Sequence, residues 1–332
     1  MNPRYYLKKI GIALLTIAVC SILTFILFRL MPGDVFDVRA RDIAVQRGID
    51  INEAKKLVVQ MYNYDPDEPI LQQMWRYYSG LFRGNLGTSM TNSSITVNEI
   101  IAYYMPWTLF LVSIALLLSY FLGIWLGSLM AWRRKSIIST IIAAYSTIVN
   151  AIPPALVPTL VLSIFAFGLK WFPIQGAYSM EVTPGFNWPF IKDVLWHAAL
   201  PIFAYTTTQI NGWVMNMKGS CISVMAEDYV TAAYARGLSD KTIRNKYVKK
   251  NALLPLYTTL AISFGSMLGG APYMEGPFVY PGIGSQLSKA LGNRDFTVAQ
   301  GLLLITTSAT VLASLFVDLI LPRLDPRIKR ED

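Results

Sequence analysis

Side chains able to do acid–base, nucleophilic or metal chemistry are sparse and scattered in this chain of 332 residues. His197 is the one histidine, and Cys20 and Cys221 are the two cysteines. The first cysteine lies in an apolar run and the second opens a basic stretch, so a disulfide between them is not expected, and no Cys, His or carboxylate cluster has metal-ligand spacing. The glycine clusters GSMLGG and YPGIG lack the Lys-Ser/Thr that a phosphate loop needs, and neither G-x-S-x-G nor H-E-x-x-H occurs. The chain is therefore expected to be no enzyme and to hold no metal or cofactor itself. Its apolar runs instead carry neutral polar groups: Asn150 beside Pro153-Pro154, Thr206-Thr207-Thr208-Gln209, Asn211, Ser263 and Ser266. Groups of this kind either hydrogen-bond neighbouring helices or line a path for a polar, uncharged or zwitterionic solute. Asn150, Pro153, Gln209, Asn211, Ser263 and Ser266 are the candidate pathway residues. A proton- or ion-coupled carrier would place ionisable groups at mid-membrane, and the middles of these runs have almost none.

A second kind of chemistry, docking, is written in EDYVTAAYARGLSD (227–240). Glu227 and Asp228 suit the first turn of a short helix, where the macrodipole favours acids. Met225, Tyr229, Ala232 and Ala233 are expected on one side of it, the alanines letting another protein's backbone come close. Gly237 can end the helix with positive φ, and Ser239 can cap a second helix. In that second helix Ile243, Tyr247 and Val248 oppose Lys241, Arg244, Lys249 and Lys250, a pattern suited to an anionic lipid surface. Together the two helices read as a docking element for a cytosolic partner.

The elements that must position these groups are membrane helices. Hydrophobic residues make up 54% of the chain and charged ones only 15%, where a soluble domain carries roughly 25% charged residues. Crossing a ~30 Å hydrocarbon core takes about 20 apolar residues, and six segments qualify: 9–31, 106–132, 137–168, 196–217, 253–275 and 298–321. The first is too long for a signal-peptide core and has no small-residue cleavage site after it, so it is expected to stay as an anchor. The formal net charge of +9 could serve nucleic acid, but its distribution points to lipid. Arg4, Lys8 and Lys9 precede the first segment, Arg133, Arg134 and Lys135 follow the second, and seven Lys/Arg residues lie between the fourth and fifth. Arg323, Arg327, Lys329 and Arg330 follow the sixth. Basic short loops stay cytoplasmic, so both termini are expected inside and no nucleic acid is expected as partner. The long connection between the first two segments lies outside. Ile51, Ala54, Leu57, Val58 and Met61, and then Ile70, Met74, Tyr77, Tyr78 and Leu81, recur there at helical spacing, predicting a small folded cap. Arg29 is expected to snorkel to headgroups at the outer end of the first helix.

These residues resemble the permease subunits of binding-protein-dependent ATP-binding-cassette importers, in the dipeptide/oligopeptide/nickel class. Thr231-Ala232-Ala233-Tyr234-Ala235-Arg236-Gly237 matches the EAA-x-x-x-Gly signature with Thr231 where Glu is usual, and Ala252-Leu253-Leu254-Pro255 closes it. FRLMPGD (28–34), GNLGTS (84–89), PWTL (106–109), YPGIG (280–284), NRDFTVAQG (293–301) and VDLILPRLDPRIK (317–329) follow that class in order, while MEGPFVYPGIG departs by carrying Gly276-Pro277. The resemblance implies an all-α, six-helix type I importer permease in a prokaryotic inner or plasma membrane. It implies residues 1–31 as N-terminus and first helix, 32–105 as the extracytoplasmic loop domain, 106–321 as the permease core with coupling loop 218–252, and 322–332 as cytoplasmic tail. Partners would be a homologous second permease, two ATPase subunits that bind the ATP and Mg, an extracytoplasmic substrate-binding protein, and lipid. Glu227, Asp228, Tyr229, Thr231, Ala232, Ala233, Ala235, Arg236, Gly237 and Leu238 would form the ATPase-coupling element. Di- and oligopeptides are the first expected cargo and oligosaccharides the alternative. A nickel importer, or a channel or secondary carrier working without ATPases, fits less well.

Overall fold

The computed structural model describes residues 3–30, 35–62, 68–267 and 272–324. Among them every regular element is a helix, and one isolated bridge, Thr88 with Thr96, is the extended pairing. The first apolar segment forms α1 (Pro3–Leu30), and the cap supplies α2 (Val35–Arg47), α3 (Ile51–Tyr62) and α4 (Ile70–Phe82). Of the residues read at helical spacing in α3, Ala54 and Val58 are fully enclosed and Ile51 and Leu57 half-buried, while Met61 is exposed.

The second apolar segment lengthens into α5 (Val97–Trp132), which starts well before Pro106. Its start is set by a capping box: Glu99 N–H donates to Thr96 Oγ1 at 3.2 Å and Thr96 N–H to Glu99 Oε2 at 2.8 Å. The third segment, expected as one span over 137–168, is instead α6 (Ile137–Ala151) and α7 (Leu156–Gly168), bent by 107°. Pro153 and Pro154 have no N–H to continue the helical ladder, and the chain turns there. The fourth becomes α8 (Trp188–Met225), capped by Asn187. Lys218 and Cys221 thus belong to a helix, and the loop expected from 218 begins at Ala226. Then come α9 (Asp228–Ala235), α10 (240–252, π-helical over Ile243–Lys249), α11 (Leu254–Met267), α12 (Pro272–Glu275), α13 (Ile283–Gly292) and α14 (Phe296–Leu324). Met31–Asp34 of FRLMPGD, part of the fifth expected span and the tail from Asp325 lie outside the described residues.

By length and apolarity α1, α5 and α14 can each cross a bilayer alone, and the α6–α7 pair would make a fourth crossing if counted as one. α8 has 38 residues but carries Thr206–Gln209 and Asn211 at its centre. The 14 residues of α11 reach about 21 Å, short of a full hydrocarbon core.

Two helix pairs organise the rest. α5 and α8 run parallel and pack most extensively, with Thr206 near one end of the seam donating to the Ala115 carbonyl at 3.3 Å. Farther along, Gly123 and Gly127 face Trp213, Val214 and Met217 so closely that neither has room for a Cβ. This is a small-xxx-small seam, which lets two backbones approach where no hydrophobic driving force exists between lipid-immersed helices. α1 and α14 run antiparallel. Phe28 packs on Phe296 with ring centroids 5.5 Å apart, and at the far ends Lys9 Nζ meets Asp318 Oδ2 at 2.8 Å. The starts of α5 and α14 also meet, Val97 lying against Gly301. The cap therefore sits at one end of the helices, while Trp132 and Met225, at the ends of α5 and α8, share a groove with Tyr234 of α9 at the other.

The seam carries a sharp expectation. A Cβ on Gly127 would lie 2.5 Å from the Val214 carbonyl oxygen and 2.8 Å from Met217 Cβ, whereas one on Gly212 meets nothing within 4 Å. Gly127→Leu is expected to cut the yield of monodisperse protein severely and lower its melting temperature by several degrees. Gly212→Ala should behave as wild type in the same size-exclusion and melting assays, and equal behaviour of the two variants would refute the seam.

Candidate functional site

The docking element is built on the end of α8. Residues three apart share a helix face, and in α9 that inward pair is Val230 and Ala233, with 1% and 2% of their surface exposed. They join Cys221, Ile243, Val248 and Ala252 in one apolar cluster. Glu227, Asp228, Tyr229, Thr231, Ala232, Ala235, Arg236 and Gly237 are exposed, and Leu238 is half-buried. Two expectations change here. Met225 ends α8 rather than sharing a face of α9, and Ala233 points into its own chain, leaving Thr231, Ala232 and Ala235 as the small outward surface. The second helix changes too: Ile243 and Val248 are buried against the chain's own core, so its apolar side is already covered and only its basic side is offered outward.

Local hydrogen bonds hold this element in shape. Gly237 takes φ +71°, a conformation that a Cβ penalises, and its N–H donates to the Tyr234 carbonyl at 2.9 Å. Leu238 N–H reaches the Ala233 carbonyl at 3.3 Å, and Ser239 caps the next helix through Thr242 N–H. Arg244 lies over the Trp132 ring, 6.0 Å from its centroid, tying α10 to the end of α5.

The pathway candidates are dispersed. Asn150 at the end of α6 and Pro153 in the bend are exposed, as is Ser266 on α11; Gln209 and Ser263 are half-buried. Ser263 and Ser266 donate back to the Thr259 and Ser263 carbonyls at 2.8 and 2.9 Å, and Thr207 and Thr208 bond within α8 likewise. Asn211 differs, being buried with its Oδ1 unpaired. Three of the six, Asn150, Pro153 and Ser266, face outward from this chain.

Sequence reasoning missed two buried carboxylates that knit distant segments. Glu275, read from sequence only as the outer end of a span, is fully buried. Its Oε1 accepts from Thr108 Oγ1 of α5 at 2.8 Å and its Oε2 from Ser285 N–H at 2.9 Å. Thr108 Oγ1 in turn accepts from Ile283 N–H at 2.8 Å. The carboxylate thus sits on the first turn of α13, where the helix dipole and unpaired amides favour an anion. Gly282 passes so close that a Cβ there would fall 2.1–2.3 Å from the carboxyl group. The Gly276-Pro277 turn ahead of it brings Val279 to φ +48°, strained for a β-branched residue.

Asp295 does the same work between motifs some 200 residues apart. Its carboxylate accepts from Met90 N–H at 3.0 Å, Thr91 N–H at 3.1 Å, Thr91 Oγ1 at 2.8 Å and Ser89 Oγ, and it receives Val298 N–H at the start of α14. GNLGTS and NRDFTVAQG are thereby one structural joint, with a Gly87 Cβ excluded by Thr297. Arg29 also has a protein partner where headgroups were expected: its Nε donates to Gln73 Oε1 of α4 at 2.8 Å.

Residues 123–330 match the family described as the binding-protein-dependent transport system inner membrane component. Over 98% of this chain and 99% of the relative, it is 30% identical to a probable peptide ABC transporter permease, y4tP, of Sinorhizobium fredii. It is 27% identical to the dipeptide transport permease DppB of Lactococcus lactis subsp. cremoris, over 98% of this chain and 99% of that one. It is likewise 27% identical to the oligopeptide transport permease AppB of Bacillus subtilis, over 93% and 94% of the two chains.

Proposed function

The chain belongs to the family of binding-protein-dependent transport system inner membrane components, and from that premise we propose that it is one of two paired permease subunits of an ATP-driven peptide importer. The observation that carries the reading is α9: a small outward face of Thr231, Ala232 and Ala235, backed by buried Val230 and Ala233, at the end of the molecule away from the cap. A helix so backed can transmit force from a cytosolic ATPase into α8 and α10, since packed elements shift as units rather than bend. Closure of the ATPase dimer on ATP then biases the permease pair between inward- and outward-facing states. The peptide-transport names of the relatives support the cargo. Asn150, Pro153 and Ser266, exposed on this chain, face the second permease, so the pathway forms only between the two subunits. The chain holds no ATP, Mg or other cofactor; the partner ATPases do.

In this reading the basic end, with both termini, is cytoplasmic, the cap is extracytoplasmic, and the helices make six crossings. The close pairing of Lys9 with Asp318 supports placing both termini on one side. Single cysteines at Asn92 and at Lys246, in a chain lacking Cys20 and Cys221, should react with an impermeant thiol reagent from opposite sides of whole cells. Labelling from the same side would end the topology. Cargo is tested with the assembled complex in proteoliposomes: di- to pentapeptides delivered by the binding protein should accelerate ATP hydrolysis and accumulate, oligosaccharides and nickel chelates should not. The isolated chain should hydrolyse no ATP, and gradient-driven uptake by it alone would turn the reading toward a secondary carrier.

A further inference from the structure

A cavity of about 260 Å³ lies under the cap, far from α9, where the end of α1, helix α4, the 85–90 loop and the first turns of α14 converge. Three motifs singled out in the sequence meet on its wall, through Arg29, Asn85–Thr88 and Thr297 with Gln300. Its lining is rich in hydrogen-bond donors. Gln300 has only 4% of its surface exposed, and its Nε2 makes no hydrogen bond of good geometry. Beside it the buried Tyr77 hydroxyl faces the same amide, whose approach offsets a little of the burial shift on the phenol, and neither group closes a hydrogen bond of good geometry. Burial pushes the Tyr77 phenol up to about 12, with the neighbouring Tyr78 adding to the shift, so the hydroxyl keeps its proton at any physiological pH. Arg29 and Arg76 also line it, Arg29 bonded to Gln73 and Arg76 paired with Glu68. No carboxylate lines the cavity among the described residues.

The Tyr77 hydroxyl and the Gln300 amide meet only loosely, which leaves buried donors under-used on a wall that also carries Arg29 and Arg76, and under-used buried donors favour an acceptor-rich anion. Water fills such a space only as a cluster, and water brings donors as well as acceptors. A carboxylate offers acceptors alone and matches the planar geometry of guanidinium and amide donors. We propose that this cavity is a carboxylate-binding site in the cap and, on the peptide-importer reading, that it takes the C-terminal carboxylate of a peptide entering or leaving the pathway.

The test uses the assembled complex in nanodiscs, with calorimetric titration of trialanine, trialanine C-terminal amide and succinate. Trialanine is expected to bind at least tenfold more tightly than its amide. The Gln300→Glu variant, which places its own carboxylate in the cavity, should lose trialanine and succinate binding while keeping a wild-type melting temperature. Tyr77→Phe should weaken both severalfold. Succinate binding that Gln300→Glu removes, without any peptide binding, would sustain the site and sink the peptide cargo. Equal affinity for trialanine and its amide, binding that survives Gln300→Glu, or no binding of any of the three up to millimolar concentration would overturn the site and leave the importer reading untouched.

Discussion

Ala232→Arg is expected to abolish uptake while the chain still folds and inserts, and Ala233→Arg is expected to fail earlier, at the folding of the loop. The two alanines are neighbours, yet Ala232 is exposed and Ala233 keeps only 2% of its surface. An arginine at 232 has room in the isolated subunit. In the proposed complex, with α9 seated against the ATPase, it becomes an unpaired charge at a cost of about 3–5 kcal/mol, roughly a hundredfold or more in association. An arginine at 233 meets Ile243 and Val248 inside the chain, so the damage falls on the permease itself. Co-purification of the ATPase, read beside melting temperature, separates the two: Ala232→Arg should lose the ATPase at normal melting, Ala233→Arg should lose both. Uptake and ATPase retention at wild-type level in Ala232→Arg would mean that this helix does not couple. Gly237→Val adds a third signature, since a left-handed backbone costs a β-branched residue about 1–2 kcal/mol without adding charge. It should weaken coupling only partly.

Glu275→Ala should be among the most damaging single changes at the opposite end. It strips the acceptor from Thr108 Oγ1 and Ser285 N–H, both at a fully buried site. Orphaned buried donors cost about 1–3 kcal/mol each, and the vacated carboxyl volume adds to that. Gly282→Ala attacks the same joint from the other side, because its new Cβ would overlap the Glu275 carboxyl group. Both variants should lower the melting temperature by several degrees and loosen α13 from α5, seen as faster backbone hydrogen exchange over 283–292. Glu275→Gln, of the same shape, keeps one carbonyl acceptor but turns an NH2 toward a donor, and should fall between. Wild-type melting in Glu275→Ala would show that the carboxylate is not the fastener.

The shape of the α9–α10 element was open to sequence reasoning because its rules are local. An acid at the first turn, a glycine at the end and a serine cap are each decided within a few residues, and Gly237 at φ +71° and Ser239 on Thr242 N–H follow them. The start of α5 is local in the same sense: Thr96-x-x-Glu99 is a readable capping box, and hydropathy alone passes over it because the first turns are polar. The 107° bend is local too, since Pro153-Pro154 interrupts the ladder inside a run that hydropathy counts as continuous. Which face of α9 points outward is different, because alanine is small enough for either side and only the position of Ile243 and Val248 decides it.

Composition, the spacing of apolar residues and the asymmetry of lysine and arginine determine a helical membrane protein with a basic end, and ordered short motifs determine its family. These signals are periodic or additive, so they survive without knowledge of contacts. The tertiary structure alone decides that Thr108, Glu275, Gly282 and Ser285 form one buried joint, that Asp295 clasps the 89–91 turn, and that Tyr77 and Gln300 face one cavity. A lone polar residue has no period, and its worth depends on donors and acceptors that chain folding brings from 10 to 200 positions away. In a low-dielectric interior that pairing makes the difference between a fastener and a fault.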